Sequence, residues 1–273
     1  MTARSLRAAV RTAAALAVMA VFTAHAAALS LRWYTDLGAR RRRQAWLGHR
    51  YAKLVLRLLG IVARCDGRLA GAPGRLIVAN HLSYLDVVGL AALWPACFVT
   101  SMEVKRAPGL GWICEAGGCL FVNRRSYAGI TGEVRRLAEV LEEGIDVVVF
   151  PEATSTDGSA VIPFRAGLLQ AALIAGAAVQ PVCLNYRRLD GEPVHCGNRD
   201  VLFWYGDMEF LPHLWKLAGR RSAELVATVL EPLAPAGRAS DLARAAYAAV
   251  RDGFRTIPRH SASPAEIRSP AAV

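Results

Sequence analysis

Acidic residues are almost absent from the first 60 positions, where eleven Arg and Lys residues stand against a single acid, Asp36. Residues 61–273 carry twenty-two bases and twenty-one acids, so the net charge of +11 is concentrated at the N-terminal end. This excess predicts a basic element that faces anionic lipid, attached to a nearly neutral domain. The same segment is strongly apolar and lacks interleaved aromatic and basic residues, which argues against a nucleic-acid partner.

Several catalytic and metal-binding motifs are also missing. No Gly-x-Ser-x-Gly sequence occurs, which argues against a serine hydrolase on an α/β scaffold. Gly109-x-Gly111 is followed by Cys114 where a dinucleotide fingerprint needs its third glycine. The six cysteines are scattered without a Cys-x-x-Cys pair, which predicts reduced thiols in a cytosolic compartment. The histidines are isolated from one another, so we expect no metal site.

Residues 12–31 form an Ala-rich apolar run that is long enough to cross a bilayer but is weakly hydrophobic and contains His25. Three interpretations remain open. The run spans the membrane, or it lies in one leaflet beside the amphipathic stretch that follows, or it is a secretory signal cleaved near Ala24-His25-Ala26. Arg32 and the run Arg40–Arg43 would resist export, which favours membrane anchoring and leaves the topology open.

From about residue 75 onward, short apolar runs alternate with longer amphipathic ones. This pattern predicts an α/β fold, a layered sheet flanked by helices, preceded by the N-terminal membrane-anchoring helical segment. Predicted strands lie at 76–79, 97–99, 120–122, 147–150 and 179–184, and predicted helices at 83–93, 127–143, 165–176 and 240–254. A further strand-like stretch and the apolar run 225–230 fall within 200–231. We divide the chain into an anchor (1–60), an α/β domain (61–257) and a flexible tail (258–273).

Polar residues follow three of the predicted strands. Asn80-His81 comes after the first strand, Asn123-Arg124 after the third, and Pro151-Glu152 after the fourth. In open sheets of this kind, the functional residues gather at the carboxyl ends of the strands. The sequence therefore predicts that these residues contribute to one site.

His81 and Asp86 stand at a spacing that can make an oriented base. Ser83 is a plausible N-cap, and Asp86 then lies in the first turn of the helix, as in a capping box. If His81 lies in the turn before that helix, Asp86 can accept the Nδ1–H and leave Nε2 free to take a proton from a substrate hydroxyl. The simpler alternative is that Asp86 only caps the helix and His81 makes a loop hydrogen bond.

Four segments in order resemble the signature blocks of the phospholipid/glycerol acyltransferase family. Asn80-His81-Leu82-Ser83-Tyr84-Leu85-Asp86 is similar to the first block, Asn-His-x-Ser-x-x-Asp, and Gly118–Arg124 to the second, Gly-x-x-Phe-x-x-Arg. Phe150-Pro151-Glu152-Ala153-Thr154 is similar to the third block, Phe-Pro-Glu-Gly-Thr, and Val179-Gln180-Pro181-Val182 to the fourth. Together they cover about residues 75–190.

The resemblance implies a function and a site. His81 would be the catalytic base and Asp86 its orienting partner, while Asn80, Ser83 and Arg124 with the loop Phe150–Thr154 would bind substrate. The acyl donor would be acyl-CoA or acyl carrier protein, the acceptor a lyso-lipid, and no cofactor or metal would be needed. The oxyanion would need donors such as main-chain N–H groups at a helix start. The alternatives are that Arg124 is a solvated loop charge and that Glu152 is a cap or turn residue.

The sequence departs from the lysophosphatidate branch of that family at two cations. Ser155 follows the third block where Arg is usual, and Ser101 stands where a Lys often precedes the second block. Phosphate groups are bound by Arg and Lys, so a cation-poor pocket suits an acceptor with less phosphate charge. The segments 154–158 and 205–208 resemble the branch that acylates lyso-ornithine lipid. Lysophosphatidate and lyso-ornithine lipid both remain open as acceptors.

Ala153 replaces the glycine of the third block, and a positive φ at that position would strain the alanine backbone.

Two rival functions are a non-catalytic membrane-lipid-binding protein, which would not need His81 beside Asp86, and an α/β lipid hydrolase. We expect membrane lipids as partners. We expect the protein to lie on the inner (cytoplasmic) membrane, with the site facing the cytoplasm.

Overall fold

The computed structural model describes residues 2–123 and 130–258, and it begins with two long antiparallel helices. Helix α1 (Ala3–Arg32) starts after Thr2, whose side chain accepts a hydrogen bond from the Ser5 N–H. Helix α2 (Leu37–Leu59) starts at Asp36, whose carboxylate accepts from the Ala39 N–H, and ends at Gly60 with φ 72°. Such side-chain caps satisfy the free N–H groups of a helix start, and glycine fits the left-handed conformation at a helix end.

Helix α1 is long and apolar enough to cross a membrane, yet here it packs lengthwise on the rest of the chain. It contacts α2, α5 (Leu110–Ala116) and α8 (Phe210–Ala218). Small residues on its buried face, Ala8, Ala15 and Ala26, allow this close approach. Near its N-terminal end Arg11 donates to the Leu59 and Arg220 carbonyls at 3.1 and 2.7 Å. The anchor segment and the α/β domain are therefore in direct contact.

A mostly parallel sheet forms the centre of the domain, with strand order β1-β8-β6-β2-β5-β3-β4 in the described part of the chain. The strands are β1 (Ile61–Asp66), β2 (Leu76–Ala79), β3 (Cys97–Ser101), β4 (Leu120–Val122), β5 (Val147–Val149), β6 (Val179–Leu189) and β8 (Ala223–Val229). Strand β8 runs antiparallel to β6 and parallel to β1, and the short β7 (Glu192–Pro193) pairs with the end of β6.

Helices cover both faces of this sheet. Helix α3 (Tyr84–Leu93) contacts α2 and β1 on one face, while α6 (Ile130–Glu142), α7 (Gln170–Ala175) and α9 (Ala239–Gly253) lie on the other. The alternation of side chains along β6 separates the two faces. Asn185 bonds to the Gly253 carbonyl of α9, whereas Tyr186 points to α3. The short helix α4 (Met102–Arg106) follows β3.

Most of the elements predicted from residue 75 onward are found, but the short helices α4, α5 and α8 were not predicted. Strand β1 was not predicted, because it follows α2 at once and alternates apolar residues with Arg64 and Asp66. Within 200–231 only the run 225–230 corresponds to a strand, β8, and the further strand-like stretch expected there is not found in the described residues. Arg199–Val201 forms a 3₁₀-helix, and the apolar side chains after it are buried without strand pairing. The helix predicted at 165–176 starts as a 3₁₀-helix, Gly167–Leu169, before α7. Residues 127–129 of the helix predicted at 127–143 and residues 259–273 of the tail lie outside the described residues.

Candidate active site

The end of β2 and the start of α3 are joined by a turn, residues 80–83, that carries the first motif. Strand β5 is the neighbour of β2 in the sheet, so Pro151 and Glu152 emerge beside this turn, as the carboxyl ends of parallel strands must. Strand β4 lies at the sheet edge beyond β3 and β5, so the second motif approaches from farther away. Arg124 itself lies outside the described residues.

His81 and Asp86 are in hydrogen-bond contact. Nδ1 of His81 lies 2.9 Å from Oδ2 of Asp86, and His81 sits before the helix rather than on it, as the sequence predicted. A carboxylate at this distance requires the proton on Nδ1, which leaves the lone pair on Nε2. The ring of Phe150 stacks on the imidazole at 4.2 Å between centroids, and this contact limits its rotation. The imidazole is thus held in one tautomer and one orientation.

Asp86 is fully buried and accepts further hydrogen bonds. Its Oδ2 accepts from the N–H groups of Leu82 and Ser83 at 2.6 and 2.8 Å, and its Oδ1 accepts from the Tyr186 hydroxyl at 2.8 Å. A buried carboxylate needs such donors to remain charged. The main-chain N–H groups of Leu82 and Ser83 are therefore occupied, and they are not available to hold an oxyanion.

The turn is fixed by hydrogen bonds from two other loops. The His81 carbonyl accepts from the Thr156 N–H at 2.9 Å, and the Leu82 carbonyl accepts from the Trp204 N–H at 2.9 Å. The His81 N–H donates to Oε1 of Glu152 at 2.7 Å. Because both the N–H and the carbonyl of His81 are hydrogen-bonded, the backbone that carries the imidazole is held in place.

Glu152 is buried and connects the turn to a third segment. Its Oε2 accepts from the Ile162 N–H at 2.7 Å, so each carboxylate oxygen has a main-chain donor. Burial raises the pKa of Glu152 to about 7, although the Ile162 and His81 N–H groups oppose that shift. Pro151 is also buried. These contacts fit the alternative that Glu152 is a cap or turn residue.

The other predicted residues have distinct positions. Asn80 is buried, and its amide and carbonyl bond to the O and N of Leu184 at 3.0 and 2.7 Å, which joins β2 to β6. Ala153 has φ 62°, so the strain expected from a non-glycine residue is present. Thr154 is exposed, and its hydroxyl bonds to the Ser155 carbonyl. The Ser101 hydroxyl caps α4 by accepting from the Val104 N–H at 3.4 Å.

An apolar pocket of about 290 Å³ opens beside His81. This volume is at the lower end of typical ligand pockets, about 300–1,000 Å³. Helices α1, α2, α3, α5 and α8 all contribute to its wall, with Phe22, Val55, Tyr84, Ile113 and Leu214 among the lining residues. The composition of the wall suits a hydrocarbon chain.

A buried polar pair stands at one side of the pocket. The Tyr84 hydroxyl lies 3.0 Å from Nδ1 of His213, and Nε2 of His213 lies 3.0 Å from the Phe203 carbonyl. Since the carbonyl needs a proton on Nε2, Nδ1 accepts from Tyr84. Burial lowers the pKa of His213 to about 4, so its imidazole is neutral. The pair is satisfied internally.

Sequence reasoning missed Tyr186, Thr156 and Trp204, which hold Asp86 and the turn. All three lie far along the chain from residue 81, and their contacts depend on the sheet order. Tyr186 carries a weak signal, because it follows the fourth block on a strand whose alternate residues face one helix layer. Thr156 lies in the segment 154–158 that resembles the lyso-ornithine branch, but that resemblance did not indicate its contact with the turn, and Trp204 carries no comparable signal.

Together the mostly parallel sheet, the oriented imidazole and the apolar pocket define an α/β enzyme that acts on a lipid chain. The profile of the acyltransferase family matches residues 66–185. A lyso-ornithine lipid O-acyltransferase of Pseudomonas aeruginosa is 36% identical over 256 residues, which is 90% of this chain and 93% of that protein. A 1-acyl-sn-glycerol-3-phosphate acyltransferase of Neisseria meningitidis is 34% identical over 169 residues, 59% of this chain and 64% of that protein.

This chain belongs to the acyltransferase family, and it is an acyltransferase of the lysophospholipid or lyso-ornithine lipid type. The resemblance inferred from the four blocks is thereby confirmed. The crystal structure of PlsC from Thermotoga maritima, a 1-acyl-sn-glycerophosphate acyltransferase, matches 92% of this chain and 95% of its own with a TM-score of 0.64 and 20% identity. That likeness confirms the α/β fold with flanking helices.

Proposed function

We propose that the protein transfers a fatty acyl group from a thioester to the hydroxyl of a lyso-lipid, with His81 as general base. Nε2 of His81 takes the hydroxyl proton, and the resulting oxygen nucleophile attacks the thioester carbonyl carbon. The tetrahedral intermediate then collapses, the thiolate leaves, and the imidazolium returns the proton to it. The observation that carries this proposal is the 2.9 Å contact that fixes His81 with its proton on Nδ1 beside the apolar pocket.

The donor in this proposal is acyl-CoA or acyl carrier protein, and the apolar pocket accommodates a fatty acyl chain of the substrates. A thioester is reactive, so a base for the hydroxyl and a donor for the oxyanion are sufficient for the transfer. No metal or cofactor enters the scheme. Because Asp86 occupies the N–H groups of Leu82 and Ser83, the oxyanion donor must come from another group in the site.

For the acceptor we favour lyso-ornithine lipid. The relative from Pseudomonas aeruginosa, named a lyso-ornithine lipid O-acyltransferase, aligns over nearly its whole length. The two positions where lysophosphatidate enzymes carry cations hold Ser101 and Ser155, and the Ser101 hydroxyl caps a helix. Lysophosphatidate is the second candidate, supported by the relative from Neisseria meningitidis. Arg124 and the loop Phe150–Thr154 would form the acceptor side of the site in either case.

We also propose how the protein meets the membrane. Helix α1 is packed lengthwise on α2, α5 and α8, so a perpendicular crossing would bring those helices into the hydrocarbon. The arrangement fits the second of the three topologies considered, in which α1 lies in one leaflet. Attachment to the inner membrane with His81 facing the cytoplasm would give the site access to the thioester donors.

The test is an acceptor panel. Purified protein is incubated with acyl-CoA or acyl carrier protein thioester and with lyso-ornithine lipid, lysophosphatidate or glycerol 3-phosphate, and the labelled product is measured. We expect transfer to lyso-ornithine lipid at a higher kcat/KM than to lysophosphatidate. Faster transfer to lysophosphatidate would select the second candidate. Transfer to none of them, where a control acyltransferase works, would contradict the proposal.

A further inference from the structure

Helix α8 (Phe210–Ala218) is apolar on two sides, and one of them is exposed. Leu214 and Leu217 are buried, and Leu214 lines the pocket beside His81. Leu211 and Trp215, four residues apart and therefore on one side of the helix, are 55% and 46% exposed. We call Leu211 and Trp215 the outer face of α8. A large apolar pair of this kind on a surface marks an interaction site.

The outer face of α8 lies next to the helix that carries the membrane-anchoring character. A Cβ on Gly219, at the end of α8, would touch the side chains of Arg4 and Ala8 of α1. Leu6 and Val10 of α1 are more than half exposed, and they lie about opposite Ala8 on the helix, away from the domain. Helices α1 and α8 are thus neighbours, and each carries exposed apolar side chains.

Basic side chains surround this end of α8. Lys216 and Arg221 are exposed, and Arg4 and Arg7 of the neighbouring helix α1 lie beside Gly219, with Arg7 donating to its carbonyl. Trp215 stands at this basic end, as exposed aromatic residues do on helices that lie in the interface of an anionic bilayer. This charge complementarity favours a lipid surface over a protein partner.

We propose that the outer face of α8 inserts into the interface of an anionic bilayer, and that the lipid acceptor passes from the bilayer into the pocket between α1 and α8. Both helices line the pocket, α1 through Val18 and Phe22 and α8 through Phe210 and Leu214. A lyso-lipid leaving the bilayer there would keep its chain in apolar surroundings throughout. The passage of the acceptor rests on the proposed function, whereas the membrane contact does not.

The experiment uses the full chain and vesicles of phosphatidylcholine with phosphatidylglycerol. Brominated lipids in these vesicles quench Trp fluorescence, and the difference between the wild type and Trp215→Phe isolates the signal of Trp215. The double variant Leu211→Ser/Trp215→Ser should bind the vesicles about tenfold or more weakly, because two apolar side chains are removed from the contact. The matched control is Ile174→Ser on α7, at the other face of the sheet, where Ile174 is 51% exposed. It should bind like the wild type.

The results separate the two proposals. Quenching of Trp215 together with weaker binding of the double variant supports the membrane contact, even if no acceptor is acylated. Acyl transfer combined with unquenched Trp215, or with a double variant that binds like Ile174→Ser, would overturn the contact and leave the proposed function standing. If the acceptor enters beside α8, the double variant should lose more activity on vesicle-borne lyso-lipid than on lyso-lipid in detergent micelles. Equal losses in both would overturn that entry path.

Discussion

The Asp86 carboxylate connects three parts of the site. It holds the imidazole of His81 and the backbone of the turn through Oδ2, and it receives the Tyr186 hydroxyl of β6 on Oδ1. The contact with His81 could be predicted, because Asp86 lies only five positions later, in the first turn of the helix that follows. The contact with Tyr186 could not, because it joins residues 100 positions apart and depends on how β6 is placed against α3.

Tyr186 should act as a positioning residue through Asp86. In Tyr186→Phe the buried carboxylate loses a charge-assisted hydrogen bond, which typically contributes about 1.5–3 kcal/mol. We expect kcat to fall about tenfold or more with little change in KM, since the lost bond orients the base and does not bind substrate. The matched control is Tyr247→Phe, whose hydroxyl bonds to the Val161 carbonyl and not to Asp86. A Tyr186→Phe effect confined to KM would contradict this role.

Glu152 should make the stability of the protein depend on pH. Its pKa is raised by burial from 4.5 to about 7, so the folded state takes up the proton more readily than the unfolded state. The contribution of this carboxyl to the free energy of unfolding is fully present below about pH 4.5 and is lost as the pH rises through about 7. The free energy of unfolding, measured with urea at several pH values, should therefore fall with rising pH in the wild type. The fall should be about 3 kcal/mol larger than in Glu152→Gln.

The Gln variant carries a constant offset, because its NH₂ group faces a main-chain N–H where a carboxylate oxygen had accepted. Such a buried unsatisfied donor costs about 1–3 kcal/mol at every pH. The informative quantity is therefore how the difference in free energy of unfolding between the wild type and Glu152→Gln changes with pH. A difference that stays flat between pH 4.5 and 7.5 would show that Glu152 does not titrate in this range.

At the scale of elements, the buried strands from β2 to β6 followed from their apolar runs, whereas β1 and the apolar run after Arg199 were not predicted correctly. Strand β1 is an edge strand with charged residues at alternate positions, so it resembles a surface segment. The apolar run after Arg199 resembles a strand, but Phe203 packs against Tyr186 and Gly158 instead of pairing. Short apolar runs cannot be assigned by periodicity alone, because burial can come from side-chain packing without a ladder.

Helix α3 should depend on Gly89 for its close approach to the sheet. A Cβ at Gly89 would overlap the Leu225 side chain of β8, and both residues are buried. Gly89→Val should lower the free energy of unfolding by about 1–3 kcal/mol, as overpacking does, and should reduce activity because Asp86 lies one turn earlier on the same helix. Gly132→Val on α6 has open space around it and is the matched control. Equal denaturant midpoints for the two variants would contradict tight packing of α3.

At the scale of the whole molecule, the N-terminal helices are part of the folded structure. Gln44 of α2 donates to Ser30 of α1 and to the Ala116 carbonyl at the end of α5, and Phe22 and Ala26 pack with Leu47. The sequence predicted an anchoring segment from its charge and apolar length. It could not predict how that segment packs, since a lengthwise contact depends on helices α5 and α8 much later in the chain.

Arg11 should hold α1 against the domain. Its guanidinium bonds to two carbonyls, and Arg11→Leu would leave those acceptors without this partner, at a cost of about 1–3 kcal/mol. We expect faster proteolytic cleavage in the 33–36 connection between α1 and α2, measured by mass spectrometry. Arg50→Leu, at an exposed position on α2, is the control for the loss of one charge. Equal cleavage rates in the two variants would indicate that α1 is held by other contacts.

The proposed mechanism depends on the His81 imidazole, oriented by Asp86, removing the proton from the acceptor hydroxyl. The most direct measurement is the single-turnover rate of acyl transfer by His81→Ala, with His195→Ala at an exposed loop position as the control. We expect a loss of about 10²–10⁴-fold for His81→Ala, with unchanged folding and vesicle binding, and a normal rate for His195→Ala. A His81→Ala rate within a few-fold of the wild type would contradict it.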